Sequence, residues 1–131
     1  MDFDFERYIA DFNGNEDESM VPKYFTEDVV IEGPDGNTLH GLQQWLGMLR
    51  FVHIGVREKL HPILVLRDGD KLLAELDAVF TASVDRPDFP VVPLKSGQSV
   101  TIRFFASYRL RGHQIARLTL ATRIPRAHDA D

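Results

Sequence analysis

Glu75 and Asp77 stand two residues apart in KLLAELDAVFTA, residues 71–82, a run that otherwise reads as a buried strand. Alternate residues of a strand share a face, so both carboxylates project together, roughly 7 Å apart. In a pocket, desolvation and mutual repulsion would raise at least one of their pKa values and make an acid/base pair. In water the same pair would do no chemistry. Leu72, Ala74, Leu76, Ala78 and Phe80 take the opposite face, and half-buried antiparallel strands turn the apolar face to the core by default. On that reading the acids meet solvent and pair across strands with Arg103 or Arg117.

Other side chains with chemical potential are few. Tyr8 could donate a hydrogen bond to a developing oxyanion, or it is simply one aromatic of a helix stripe. His53 ends a helical stretch, and His61 precedes Pro62 in a strand, which suggests a sheet edge. His40, His113 and His128 read as surface groups. No two histidines have the i, i+4 spacing of a helical metal site, so no metal and no other cofactor is expected. The sequence holds no glycine-rich phosphate loop and no nucleophile elbow.

These residues need elements to position them. Phe5, Tyr8, Ile9 and Phe12 form an i, i+3, i+4, i+7 helix stripe that NGN at 13–15 ends. A short second helix follows Ser19, with Met20, Val21, Tyr24 and Phe25 apolar and Pro22 in its first turn. DVVIEG is a strand stopped by GPDGN. A third helix carries Leu42, Trp45, Leu46, Leu49 and Val52, and stops near residues 53–55. Residues 56–67 and 71–84 form one hairpin, and residues 99–110 and 114–124 another. Between them lies a proline-rich loop, 85–97, that either covers a pocket, braces a dimer or merely crosses over. Helices segregated from an antiparallel sheet make the fold α+β.

The chain has 131 residues, no cysteine and a net charge of −5. That length suits one domain with a core of its own. The acidic balance argues against nucleic acid as a partner. No apolar run approaches the roughly 18 residues of a membrane span, and the acidic start MDFDFERY lacks a signal-peptide layout. A soluble protein of the cytoplasm is expected.

YFTEDVVIEGPDG, LHGLQQWLGML, RDGDKLLAELDAVFTA and SYRLRGHQIARLTL, in that order, resemble the nuclear-transport-factor-2-like superfamily, in particular its SnoaL-like branch. The resemblance runs over residues 3–124. It implies a curved antiparallel sheet wrapped around helices, a cone-shaped α+β barrel with an apolar pocket, as one domain over 1–131 with a polar tail at 125–131. Members include ketosteroid isomerases, limonene epoxide hydrolases, polyketide cyclases and dehydratases, and many members only bind or associate. The isomerase tyrosine falls on Tyr8, but its general base falls on Gly33 and its oxyanion acid on Ala106. The hydrolase set matches at Asp77, while Glu75 replaces its arginine and Leu120 its second aspartate. The His–Asp pair of the dehydratases cannot be placed on His53 or His61.

Both alignments turn Glu75 and Asp77 into the cone, together with Phe104, Ala106, Tyr108, Leu118, Leu120 and Thr122. Alternation along VTIRFFASYRL and QIARLTLATRI agrees, and a polar intrusion into an apolar face is what a site looks like. The inward reading therefore makes Asp77 a general base, Glu75 its partner acid and Tyr8 a hydrogen-bond donor. His53, Trp45, Phe104, Tyr108, Leu118 and Leu120 are the expected ligand-binding residues. The implied function is a lyase, isomerase or hydrolase acting on a small apolar or aromatic molecule. The alternative is a non-catalytic ligand-binding or protein-association domain. Leu72, Ala74, Leu76, Ala78 and Phe80 would then lie on an outer sheet face, covered by a second copy in a homodimer.

Overall fold

The computed structural model describes residues 2–123; the polar tail expected over 125–131, with His128, lies outside them. Asp4 starts α1 (Phe5–Phe12) by accepting the Arg7 amide at 3.1 Å, and the whole expected stripe, Phe5, Tyr8, Ile9 and Phe12, is buried. The second helix, α2 (Asp17–Tyr24), begins two residues before Ser19. It puts Asp17 and Glu18 in its first turn and Lys23 in its last, which matches the helix dipole. The chain then passes directly into β1 (Phe25–Glu32), turns, and adds a three-residue strand, β2 (Thr38–His40), before α3 (Leu42–Val52). Two long hairpins follow, β3 (Val56–Asp68) with β4 (Lys71–Ala82), and β5 (Ser99–Arg111) with β6 (Gln114–Arg123).

The expected cone is not what these elements build. They form a six-stranded mixed sheet in the order β2-β1-β6-β5-β4-β3, neither closed nor strongly curled. β2 and β3 are its two edges, and β1 runs parallel to β6, with Ile31 opposite Leu118. The fold is α+β, but the sheet is open and not purely antiparallel. Part of the reason lies at the β3 edge, where side chains take the place of a closing strand. Asn13 pairs with the Leu60 backbone in both directions, donating to its carbonyl at 3.0 Å and accepting its amide at 2.7 Å. Asn15 accepts the Glu58 amide at 3.1 Å. Those edge groups are satisfied without a further strand.

The core lies between one sheet face and the helices. Leu72, Ala74, Leu76, Ala78, Phe80 and Ala82 of β4 are buried there, beside Val100, Ile102, Ala106, Tyr108 and Leu110 of β5. This reverses the expected orientation of β4. Directly opposed residues of an antiparallel pair share a face, and the register sets Ala74 against Ala106, Leu76 against Phe104 and Asp77 against Arg103. With Ala106 inward, Ala74 must also be inward, and Glu75 and Asp77 must point out. The outer face cannot therefore be the Leu72–Phe80 row.

Candidate functional site

A cavity of about 650 Å³ lies within this core. Tyr8 and Phe12 of α1 and Trp45, Leu49 and Val52 of α3 form its helical wall. Leu60, Leu76, Phe80, Phe104, Tyr108, Leu118, Leu120 and Thr122 form its sheet wall. Its rim is the β1–β2 turn, with Asp35, Asn37 and Thr38, together with Met48 and Pro90, all of them exposed. Pro90 belongs to the proline-rich loop. That loop is fixed by Arg86, whose Nη1 donates to the carbonyls of Val52 at 3.2 Å and Ile54 at 2.6 Å. Phe89 packs on Phe80, ring centroids 5.2 Å apart. The loop thus covers one side of the cavity.

Among the described residues, one carboxyl group enters the apolar interior of this cavity. Glu58, on β3 between the inward residues Val56 and Leu60, is buried and lines it. Its Oε1 lies 2.8 Å from His53 Nε2, and His53 Nδ1 lies 2.7 Å from Asp17 Oδ2. Three elements supply this chain: the start of α2, the end of α3 and the edge strand β3. The Asn15 contact fixes the Glu58 backbone, and Arg86 pins the two carbonyls that flank His53. Burial pushes the Glu58 carboxyl up, partly offset by His53. Burial opposes protonation of His53, but its hydrogen bonds to Asp17 and Glu58 prevail and raise its pKa to about 9. His53 is therefore an imidazolium at neutral pH.

Two phenols complete the arrangement. Tyr8 and Tyr108 lie with ring centroids 6.2 Å apart, in T-shaped contact. Burial raises the pKa of both well above the ordinary value, and the charge of Glu58 adds to it. Both stay neutral at physiological pH, and the Tyr8 hydroxyl is engaged with that of Tyr108, so the pair keeps one O–H to donate. A carboxyl tuned upward and a pair of neutral phenols that line the same apolar space can move a proton and stabilise the charge that forms.

The sequence profile of the SnoaL-like domain matches residues 5–118. The chain belongs to that family. Its place in the nuclear-transport-factor-2-like superfamily agrees with the solved structures it resembles. A proposed polyketide cyclase from Xanthomonas campestris is 23% identical, with TM-score 0.75, over 89% of this chain and 85% of that one. A proposed polyketide cyclase from Pseudomonas putida is 21% identical, also with TM-score 0.75, over 95% and 90%. An epoxide hydrolase from M. tuberculosis, described as LEH-like, is 16% identical with TM-score 0.68, over 95% and 84%. At these identities the likeness is one of fold. No curated protein matches the sequence.

Within this SnoaL-like protein the sequence-predicted residues divide into three groups. Tyr8, Trp45, Phe104, Tyr108, Leu118 and Leu120 meet around the cavity. His53 does not line it but stands behind Glu58. Glu75 and Asp77 lie on the opposite side of the sheet, half-buried, and both bond Arg103. Arg103 Nε donates to Asp77 Oδ1 at 2.6 Å and Nη1 donates to Glu75. They form the cross-strand ion pair of the solvent-facing reading. Sequence reasoning missed Glu58 and Asp17. The signal for Glu58 was present in VREKL, where one acid interrupts the alternate row Val56, Glu58, Leu60. That is the polar intrusion sought on β4, one strand away. No comparable signal marks Asp17, which reads as a first-turn helix acid.

No helix among the described residues is long and apolar enough to cross a membrane.

Proposed function

We propose that this SnoaL-like protein binds a small, largely apolar molecule in its cavity and moves a proton on it, as a lyase or isomerase does. Glu58 is the proton acceptor and donor. Its carboxylate takes a proton from a carbon next to a carbonyl. Tyr8, with Tyr108, donates to the oxygen on which the enolate charge gathers. The proton then returns at another carbon, or a β-hydroxyl takes it and leaves as water. His53, held by Asp17, orients Glu58 and offsets its charge. The observation that carries this reading is Glu58 itself, a buried carboxyl at the cavity wall with one oxygen fixed by His53. The reading also includes a homodimer through the outer sheet face.

The test is proton exchange at a bound ketone. 2-Tetralone has acidic hydrogens beside a carbonyl and suits a cavity of this size. In D2O the wild-type protein is expected to accelerate its deuteration, followed by NMR. Glu58→Gln keeps the shape and removes the base, so the acceleration should fall by about 10²-fold or more. If Glu58→Gln exchanges the ketone as fast as wild type, the proton-transfer role is lost and a binding protein remains.

A further inference from the structure

Along VREKLH, residues 56–61, the edge strand β3 alternates: Val56, Glu58 and Leu60 are buried, while Arg57, Lys59 and His61 are exposed. The register sets Arg57 opposite Thr81, Lys59 opposite Val79 and His61 opposite Asp77, so these residues share the outer sheet face. Arg57, Lys59, His61, Val79 and Thr81 line a groove of about 660 Å³ there, whose described lining contains no aspartate or glutamate. Asp77, the nearest carboxylate across the strands, is held by Arg103. The ion pairs of the described residues take up Lys23, Arg50, Arg86, Arg103, Arg111 and Arg117, and leave Arg57 and Lys59 out. In a chain of net charge −5, this groove therefore gathers cations without counter-charges. The cavity on the other side of the same strand is its opposite, with Glu58 and Asp35 in its described lining and no lysine, arginine or histidine. His53 belongs to the lining of the groove and bonds Glu58 of the cavity at 2.8 Å, so the two spaces share a wall.

We propose that this groove is a second binding site, which takes the phosphate group of a small organic molecule between Arg57 and Lys59. The two residues stand roughly 7 Å apart along the strand, and their long side chains can converge on one anion between them. The Arg57 guanidinium offers a fork that matches two phosphate oxygens, and the Lys59 ammonium supplies a second charge. A phosphate monoester carries close to two negative charges at neutral pH, a match for two unpaired cations, whereas a carboxylate would leave one of them uncompensated. The Thr81 hydroxyl shares a 2.8 Å hydrogen bond with that of Ser99. With Ser99 as the donor in that bond, the Thr81 O–H is left for a phosphate oxygen. A groove of about 660 Å³ is far larger than a phosphate ion, and Gly55, Val79 and Ala82 in its lining offer apolar surface to the rest of an ester.

Phenyl phosphate is the probe, titrated into the protein near neutral pH and low salt and followed by amide NMR. The signals of Arg57, Lys59, Val79 and Thr81 should move, and those of the cavity residues Leu118 and Leu120 should not. Phenyl sulfate, with one charge fewer, should bind about tenfold more weakly, and benzyl alcohol should move none of these signals. Inorganic phosphate separates the two sources of the group: it should bind more weakly than the ester, because it leaves the apolar part of the groove empty. Arg57→Gln combined with Lys59→Gln should weaken phenyl phosphate about tenfold or more. Arg7→Gln combined with Lys95→Gln removes the same charge from exposed positions elsewhere and should change the affinity by about twofold at most. The signal map of the wild-type protein stands even if a variant fails to fold. Shifts confined to cavity residues, no shift at millimolar ester, equal binding of sulfate and phosphate esters, or equal weakening by both variant pairs would overturn the proposal. Inorganic phosphate binding as tightly as the ester would overturn the organic ligand and leave an ion site. None of these outcomes bears on the cavity, whose own test uses 2-tetralone.

Discussion

His53 is the residue at which pH should be felt. Its folded pKa of about 9 lies above the ordinary 6.5, because the bonds to Asp17 and Glu58 outweigh burial. A group whose pKa rises on folding stabilises the fold in its protonated form. That contribution is fully present below about pH 6.5 and is lost as pH rises through about 9. Glu58, raised by its burial, acts in the same direction. Urea unfolding should therefore show stability falling by roughly 2–3 kcal/mol between pH 6.5 and 9. In His53→Gln the slope over that interval should flatten. An unchanged slope in the variant would place the titration elsewhere. At this scale, the sequence made residue types legible but not their partners. Glu58 could be singled out from its apolar neighbours Val56 and Leu60. The Asp17–His53–Glu58 contact joins residues far apart in the chain and has no local signature.

Element boundaries were legible because the patterns are strong. The Phe5-Tyr8-Ile9-Phe12 stripe, the Asp68–Asp70 turn and the RGH turn place α1 and both hairpins as observed. β2 was not legible, since three residues between a turn cluster and a helix carry no period. The facing of β4 was legible from its own polarity, and the resemblance overrode it. Pairing Asp77 with Arg103 would have restored it, since both alternation patterns then agree. A second device at this scale is the NGN segment. It ends α1, and Asn13 and Asn15 then hold the backbone of Leu60 and Glu58 at the β3 edge. At the other end of the approach to β3, Gly55 has φ +62°, and an added Cβ would lie 2.3 Å from Val84 Cγ2. No side chain fits there without displacement. Both contacts position Glu58. Asn13→Ala leaves the amide and carbonyl of buried Leu60 unpaired and should cost about 1–3 kcal/mol. The loss would be read from denaturant unfolding. It should come with faster amide exchange at Leu60 than at the central strand β5. A loss within about 0.5 kcal/mol would mean that water replaces Asn13 at this edge.

For the whole molecule, an open sheet has an outer face that must meet something. In β3 the register shifts between Pro62 and Leu64, which changes the facing of the residues that follow. Leu64 then stands opposite Glu75 and Leu66 opposite Leu73. Leu64, Leu66, Leu73 and Phe105 are each between 46% and 58% exposed on the outer face, around a shallow groove that also includes Ala121. A contiguous exposed apolar patch of this kind, rimmed by charge, marks an association surface. Here the rim is the Arg103 pair with Glu75 and Asp77 and the Arg117 pair with Glu32. A second copy supplies the same apolar row and the same balanced charges, so a two-fold pairing is self-complementary. Sedimentation at tens of micromolar should therefore give twice the protomer mass. Phe105→Asp adds a charge directly opposite Glu75 and should give the protomer mass. The Phe105 side chain lies on the other side of the sheet from the cavity, so the monomeric variant should still bind 2-tetralone with unchanged affinity. A wild-type protein that sediments as a monomer at every concentration would refute the dimer. Loss of binding in a folded, monomeric Phe105→Asp would show that the cavity depends on the second copy.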